Sequence, residues 1–275
     1  MVSKTSSTAI ALVALFGLLS AMGAQRTKTH DLSEILERLE ANLNHYDAGV
    51  PSFFCDEHAI SSRVERIPPD RTTVTDSIFR IKRTHQPDHT TSLEELREIK
   101  SVNGKAATSQ DMEGPTLASG IFEGGLAVVS LGQTSCMKYT LQRVKRNRAT
   151  EPIIVRFETV LTPQNSANCF LQEESKGRVV IDPATMQVTR LEITTPHHTI
   201  IDGESGSSPV VGKRELTVDY APVVLGGETF WMPSLVNLRN ASGSGTFHMI
   251  VWSFRATYRN YHRLEVTSHI HDGSD

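Results

Sequence analysis

Apolar residues recur at two different periods along this chain, and the switch between them divides it. Between Asp31 and His45, Leu32, Ile35, Leu36, Leu39 and Leu43 return every three or four positions and make one apolar face of a helix. Asp31 with Glu34 reads as a capping box, each side chain satisfying a free amide at the helix start. Gly49 and Pro51 stop the helix. A single amphipathic helix cannot bury its stripe alone, so the sheet that follows must receive it.

Beyond Pro51 the pattern turns to strands. Ser52 to Val64 is short and mixed, and Val74 to Arg83 carries Val74, Ile78, Phe79 and Ile81. Leu93 to Val102 has a helix-like composition, but it ends at Asn103-Gly104, a hairpin signal, and is read as a strand. Met137–Val144 and Ile153–Leu161 look paired, with Val155, Phe157 and Thr159 on one face. Two strand-like runs at 177–193 join through Asp182-Pro183-Ala184-Thr185. Leu216, Val218 and Tyr220 alternate with Glu215, Thr217 and Asp219, the pattern of a sheet with one wet face. A Gly226-Gly227 turn and an aromatic run ending at Pro233 follow. After a turn at Ala241 to Gly245, Thr246 to Tyr258 is apolar on both faces, so both sides are covered or one lines a cavity. Leu264, Val266 and Ile270 make a last strand. Leu117, Ile121, Leu126, Val128 and Val129 suit a second helix, which Gly124-Gly125 weakens. Residues 105–116 and 202–212 read as loops, the latter Gly/Ser-rich and mobile.

The sum is an α+β, mostly β fold: a strongly curved antiparallel sheet or open half-barrel of about ten strands with two packed helices. The phrase G-x-V-x-I-D-P-x-T at 177–185 and the strand ending in W-x-P at 231–233, with the helix before them, resemble the lipoprotein-carrier superfamily. This is the LolA/LolB-type half-barrel, with RseB-type regulators among its relatives. The resemblance covers 30–271 in outline and implies a concave apolar face that holds acyl chains. Its motifs are structural, and no residue code carries over.

The first residues change the picture of where the chain works. Lys4, the apolar run Thr8 to Leu19, and small residues at Ala21, Gly23 and Ala24 read as a secretory signal peptide over 1–24, cleaved after Gly23 or Ala24. The run is shorter than the ~20 residues that a spanning helix needs. Residues 25–275 are then expected to form one β-rich domain, periplasmic or secreted and not membrane-spanning once the leader is removed. A net charge of −3 gives no footing for nucleic acid, and the basic cluster Arg143 to Arg148 is read as a solvated hairpin end. Three cysteines remain, Cys55, Cys136 and Cys169. In an oxidising compartment the odd count suggests one disulfide and one free thiol. Cys136 and Cys169 flank a hairpin and are favoured over a pairing with Cys55.

Candidate chemistry is sparse. Among eleven histidines, His197-His198 and His269/His271 are the clusters, and neither supplies a third metal ligand. Asp56-Glu57, Glu94-Glu95 and Glu173-Glu174 are neighbours in strands, face opposite ways and make poor acid/base pairs. Cys55 precedes His58 without the geometry of a nucleophile pair, and no G-x-S-x-G elbow exists. Asn240-Ala241-Ser242 is a sequon read as a turn. The remaining lead is aromatic: Phe79, Tyr139, Phe157, Trp231, Trp252 and Phe254 are the candidate ligand-binding residues, the wall of an apolar pocket. The expectation is a non-enzymatic exported protein that needs no cofactor and binds a lipid or lipoprotein acyl chain. The alternatives are an envelope module that binds a partner protein and, third, a hydrolase.

Overall fold

The computed structural model describes residues 31–63, 71–85, 91–108, 121–142, 151–200, 210–242 and 249–264. The expected leader, the cluster at 143–148, the His269/His271 pair, and Val266 with Ile270 lie outside the described residues, as do most of the loops at 105–116 and 202–212.

The helix α1 runs Leu32–Gly49, one turn past the sequence expectation. Asp31 caps its start, Oδ1 accepting from the Leu32 amide at 2.7 Å. A helix end leaves four carbonyls without intrahelical partners. Here the Val50 amide donates to the Tyr46 carbonyl at 2.8 Å. Arg83 reaches back to the same end, its Nη1 donating to the Val50 carbonyl at 2.7 Å and its Nη2 to those of Asp47 and Ala48 at 2.7 and 2.8 Å. A cation at a helix C-terminus also opposes the negative end of the helix dipole.

Eleven strands follow among the described residues: β1 Phe53–Arg63, β2 Arg71–His85, β3 Thr91–Val102, β4 Lys105–Ala106, β5 Met137–Leu141, β6 Ile153–Thr159, β7 Lys176–Ile181, β8 Val188–Ile200, β9 Val210–Leu225, β10 Glu228–Ser242 and β11 Met249–Arg263. They form one sheet in the order β4-β3-β2-β1-β11-β10-β9-β8-β7-β6-β5. Every pairing is antiparallel. The first and last strands meet inside the sheet, Glu57 opposite Tyr258 and Ala59 opposite Ala256, so the open edges are β4 and β5.

Residues 107–136 connect those two edges, and their described part fills the inner face. Of the second helix that the sequence suggests, the described part is a single turn, α2 Ile121–Gly124, running on as a 3-10 turn over Gly125–Val129. Adjacent glycines remove side-chain support from a helix interior, which accounts for its end at Gly124. The Phe122 ring stacks on Phe79 of β2, and the Val128 carbonyl accepts from the Tyr139 hydroxyl of β5 at 2.7 Å. Those strands are eight places apart in the sheet order. At ~4.8 Å per strand a flat sheet would separate them by about 38 Å, whereas six residues in helical turns advance only ~10 Å. The sheet must therefore curl around this plug.

Burial alternates as a one-sided core requires. Phe53, Cys55, Glu57, Ala59 and Ser61 of β1 are buried while Asp56, His58 and Ile60 are exposed. Ile35, Leu36 and Leu39 of α1 and Val128 and Val129 of the plug complete one continuous hydrophobic core. Close approach demands glycine at Gly177, where a Cβ would lie 2.1 Å from the Glu192 carbonyl oxygen and 2.4 Å from the Phe157 ring. The Asn103-Gly104 hairpin stands, with φ of 51° and 75° at its two central residues.

Cys136 and Cys169 are bonded, their Cα atoms 5.6 Å apart, and Cys55 is free and buried. Two expectations fail. Asn240-Ala241-Ser242 is not a turn but the end of β10, with Asn240 buried. The aromatic run does not end the strand at Pro233. β10 passes through it by a bulge between Pro233 and Leu235, which accommodates a residue that lacks an amide hydrogen.

Candidate functional site

The C-terminal half of α1, the plug and the adjoining ends of β8, β9 and β10 leave a cavity of about 170 Å³ between them. The helix contributes Leu39, Leu43 and Tyr46, the plug contributes Ile121, Phe122, Leu126 and Val129, and the sheet contributes Val188, Tyr220, Phe230 and Trp231. The walls are held in place by named contacts. Phe230 stacks on His45 with ring centroids 5.4 Å apart and meets the Tyr46 ring edge-on at 6.4 Å. Asn42 donates to the Met186 carbonyl at 2.7 Å, tying α1 to the β7–β8 turn. The Glu40 carboxylate accepts from the Leu131 amide at 2.8 Å, tying it to the plug.

Tyr220 lines this cavity and is 93% buried, yet its hydroxyl has no hydrogen-bond partner. Burial pushes its ionisation well above that of an ordinary tyrosine, so the group is a neutral O–H. A buried polar atom left unpaired costs roughly 1–3 kcal/mol. A ligand with a hydrogen-bonding atom would recover that cost. Asn44, His45, Asp47 and Thr229 are exposed and form the mouth. Burial raises the Asp47 carboxyl above the usual aspartate value, the charge of Arg83 opposes this, and Glu40 adds to it.

Of the six aromatic residues proposed from sequence, Trp231 lines the cavity. The other five sit elsewhere in the sheet. Phe79 is buried against Phe122, and Phe157 lies over Gly177. Tyr139 spends its hydroxyl on Val128, and burial, with Glu40 adding to it, raises that hydroxyl to about 12. Trp252 pairs across the sheet with Arg63 and Asn240, and Phe254 is fully buried in the core. Phe122, Leu43 and Tyr220 line the cavity without being among the candidates proposed from sequence. A bulky aromatic beside Ile121 in an otherwise Gly-rich segment was the available signal for the plug.

A second inward-facing group is polar. The Glu57 carboxylate is 1% exposed and bound on all sides. Arg97 donates to it twice, from Nε at 2.5 Å and Nη2 at 3.0 Å. Ser77 donates at 2.7 Å and Tyr258 at 3.0 Å. The Arg97 guanidinium lies 5.0 Å over the Phe79 ring, and Phe122 seals the cluster against Phe79 and Tyr258. With both oxygens satisfied twice over, this carboxylate is a structural pair.

Arrangements that could serve hydrolysis are on the outer face. His58 and Ser101 both bind Asp76, at 2.7 Å each, so the carboxylate lies between the imidazole and the hydroxyl and the histidine cannot deprotonate the serine. His198 pairs with Glu173 at 2.7 Å. Among the described residues no three His, Cys, Asp or Glu side chains converge as a metal site would need. No described helix is long and apolar enough to cross a membrane.

No family model and no curated protein matches the chain. Among solved structures it is similar to a DUF1329 family protein from Desulfovibrio piger, with 8% identity and a TM-score of 0.41 over 87% of this chain and 96% of that one. It is also similar to a LolA superfamily protein from Nitrosomonas europaea, with 9% identity and a TM-score of 0.35 over 84% of this chain and 94% of that one.

Proposed function

We propose that this protein is a non-enzymatic exported binder of an amphipathic ligand, such as a lipid or lipoprotein acyl chain, held in the cavity under α1. The observation that carries the reading is a largely apolar cavity of about 170 Å³ lined by Tyr220, whose buried hydroxyl has no hydrogen-bond partner. A cavity of ~150 Å³ lined by aliphatic groups is enough to take a benzene ring. The space therefore suits part of one tail, with the polar end of the ligand left at the mouth. Trp231 and Leu43 are the side chains that would grip the tail. The Cys136–Cys169 bond supports an oxidising compartment, periplasmic or extracellular.

Native mass spectrometry on protein made in an exporting host, followed by solvent extraction, tests the reading. A stoichiometric lipid that disappears in Leu43→Trp, which fills the cavity, supports it. An apo mass that takes up no added amphiphile sinks it.

A second reading, a module that binds an envelope protein, draws on a different surface. Leu131, Val160 and Phe170 are exposed on segments joined by the disulfide and by hydrogen bonds. The Phe170 amide donates to Gln133 at 2.8 Å, and the Val160 amide to the Cys136 carbonyl at 2.7 Å. Exposed apolar groups gathered beside an edge strand are a feature of docking surfaces. Crosslinking from position 170 in the envelope distinguishes it from the carrier reading.

A further inference from the structure

Apart from His45, the acidic and basic side chains that line the cavity are carboxylates alone, and this bears on which head groups it admits. Glu40 and Asp47 are the carboxylates among its lining residues, and no lysine or arginine is among them. Glu228 adds a third carboxylate at the same end, its Oε2 3.5 Å from where a Gly49 Cβ would stand. Arg83 stands behind the helix end, outside the lining, and directs Nη1 and Nη2 to the carbonyls of Val50, Asp47 and Ala48. His45 is the one histidine among the lining residues, and its ring is stacked on Phe230. The polar lining groups Asn44, Gln187, Thr229 and the Tyr220 hydroxyl are uncharged.

We infer that the cavity selects single-chain amphiphiles with uncharged or cationic head groups and discriminates against carboxylate, sulfate and phosphate. An anionic head group at the mouth would face Glu40, Asp47 and Glu228, with no lysine or arginine among the lining residues to receive it. Charges brought together in a partly desolvated mouth repel far more strongly than they do in water. An alcohol meets neutral donors and acceptors, and an ammonium meets carboxylates. This selectivity rests on the carrier reading, since it concerns the same cavity.

The test is a titration at neutral pH and low salt with three probes of one tail: decanol, decylammonium and decanoate, each below its aggregation threshold and followed by Trp fluorescence. Decanol and decylammonium are expected to bind at least ten-fold more tightly than decanoate. Added salt should narrow the gap, and Asp47→Asn should narrow it further. Glu40→Gln is the second variant, used if the first lowers stability. Leu43→Trp should abolish binding of all three. Decanoate binding as tightly as decanol would overturn the charge selectivity and leave the carrier reading standing. Failure of every probe to bind, or binding unchanged in Leu43→Trp, would overturn both.

Discussion

The Phe122 ring lies 4.7 Å from that of Phe79, nearly parallel at 28°, and so locks the plug onto β2. The same ring meets Phe53 at 5.8 Å and Tyr258 at 5.1 Å, so one side chain from a four-residue helix touches three strands. A half-barrel with an unfilled inner face would leave those aromatics in water. Phe→Ala in a core costs about 3–5 kcal/mol, from lost burial and the hole left behind. Phe122→Ala is expected to fall in that range by urea denaturation. Because Phe122 also walls the cavity, the variant should accept bulkier apolar probes than the parent protein. A loss under about 1 kcal/mol would mean that the plug does not hold the sheet.

Glu57 and Arg97 make a different kind of contribution. Removing one partner of a buried pair strands the other charge and costs about 3–5 kcal/mol, although the pair itself adds little over an apolar substitute. Arg97→Met should therefore destabilise the protein by that amount. Glu57→Gln with Arg97→Met should cost clearly less than Arg97→Met alone. Chemical denaturation of the two variants gives the comparison, and a double variant worse than the single one refutes the assignment of Glu57 as a buried anion.

Much of the sheet was legible because its signals are local. Asn103-Gly104 sets a hairpin by its positive φ, and alternation along Leu216 to Tyr220 sets a face. The α1 stripe was legible for the same reason, whereas hairpin placement only favoured the Cys136–Cys169 pair over one with Cys55, and the structure decides it. The cavity was not legible. Trp231 and Tyr220 share the β9–β10 hairpin, but Leu43 is far from both in sequence, and the three line one cavity only once α1 folds back onto that hairpin. Aromatic content marks a core and a pocket equally, so Phe79, Phe157 and Phe254 could not be told apart from Trp231 by composition. Glu57 was dismissed as an adjacent carboxylate with Asp56, although its parity with Cys55 and Ala59 placed it on the inner face. A β-bulge is equally silent in sequence, which is why Pro233 looked like a strand end.

The cysteines give a chemical check of the compartment and the core together. The Cys136–Cys169 bond spans 33 residues, and loop-closure entropy puts its worth at about 3–4 kcal/mol. Cys136→Ser with Cys169→Ser should lower stability by about 2–4 kcal/mol. Cys55 should behave oppositely. Burial, reinforced by the charge of Glu57, pushes its thiol far above the ordinary value, so almost no thiolate forms. Ellman's reagent is expected to find no reactive thiol in the native protein and one in denaturant. A native thiol that reacts within minutes would contradict the placement of Cys55 in the core.

Acid sensitivity follows from the outer face. Glu192 accepts from Arg178 at 2.7 and 3.0 Å and from Arg190 at 2.8 Å, and Arg190 continues to Asp219 at 3.1 Å. The hydrogen bonds from Arg178, opposed by partial burial and helped by those from Arg190, hold the Glu192 carboxyl below its ordinary value of 4.5. A carboxylate whose value is lowered by folding adds stability above the unfolded value. That stability fades as pH falls through the folded one. The Glu192 side chain is 28% exposed and those of Arg178 and Arg190 over 40%, so water screens the network and its worth is about 0.5–1 kcal/mol. Glu192→Gln should therefore be less stable than the parent by that amount at neutral pH. The difference should shrink steadily below about pH 4.5, as protonation removes from the parent what the substitution removed from the variant. Thermal unfolding of both proteins across the acid range measures it. A difference that stays constant down to the lowest pH would show that the variant acts through packing and not through charge.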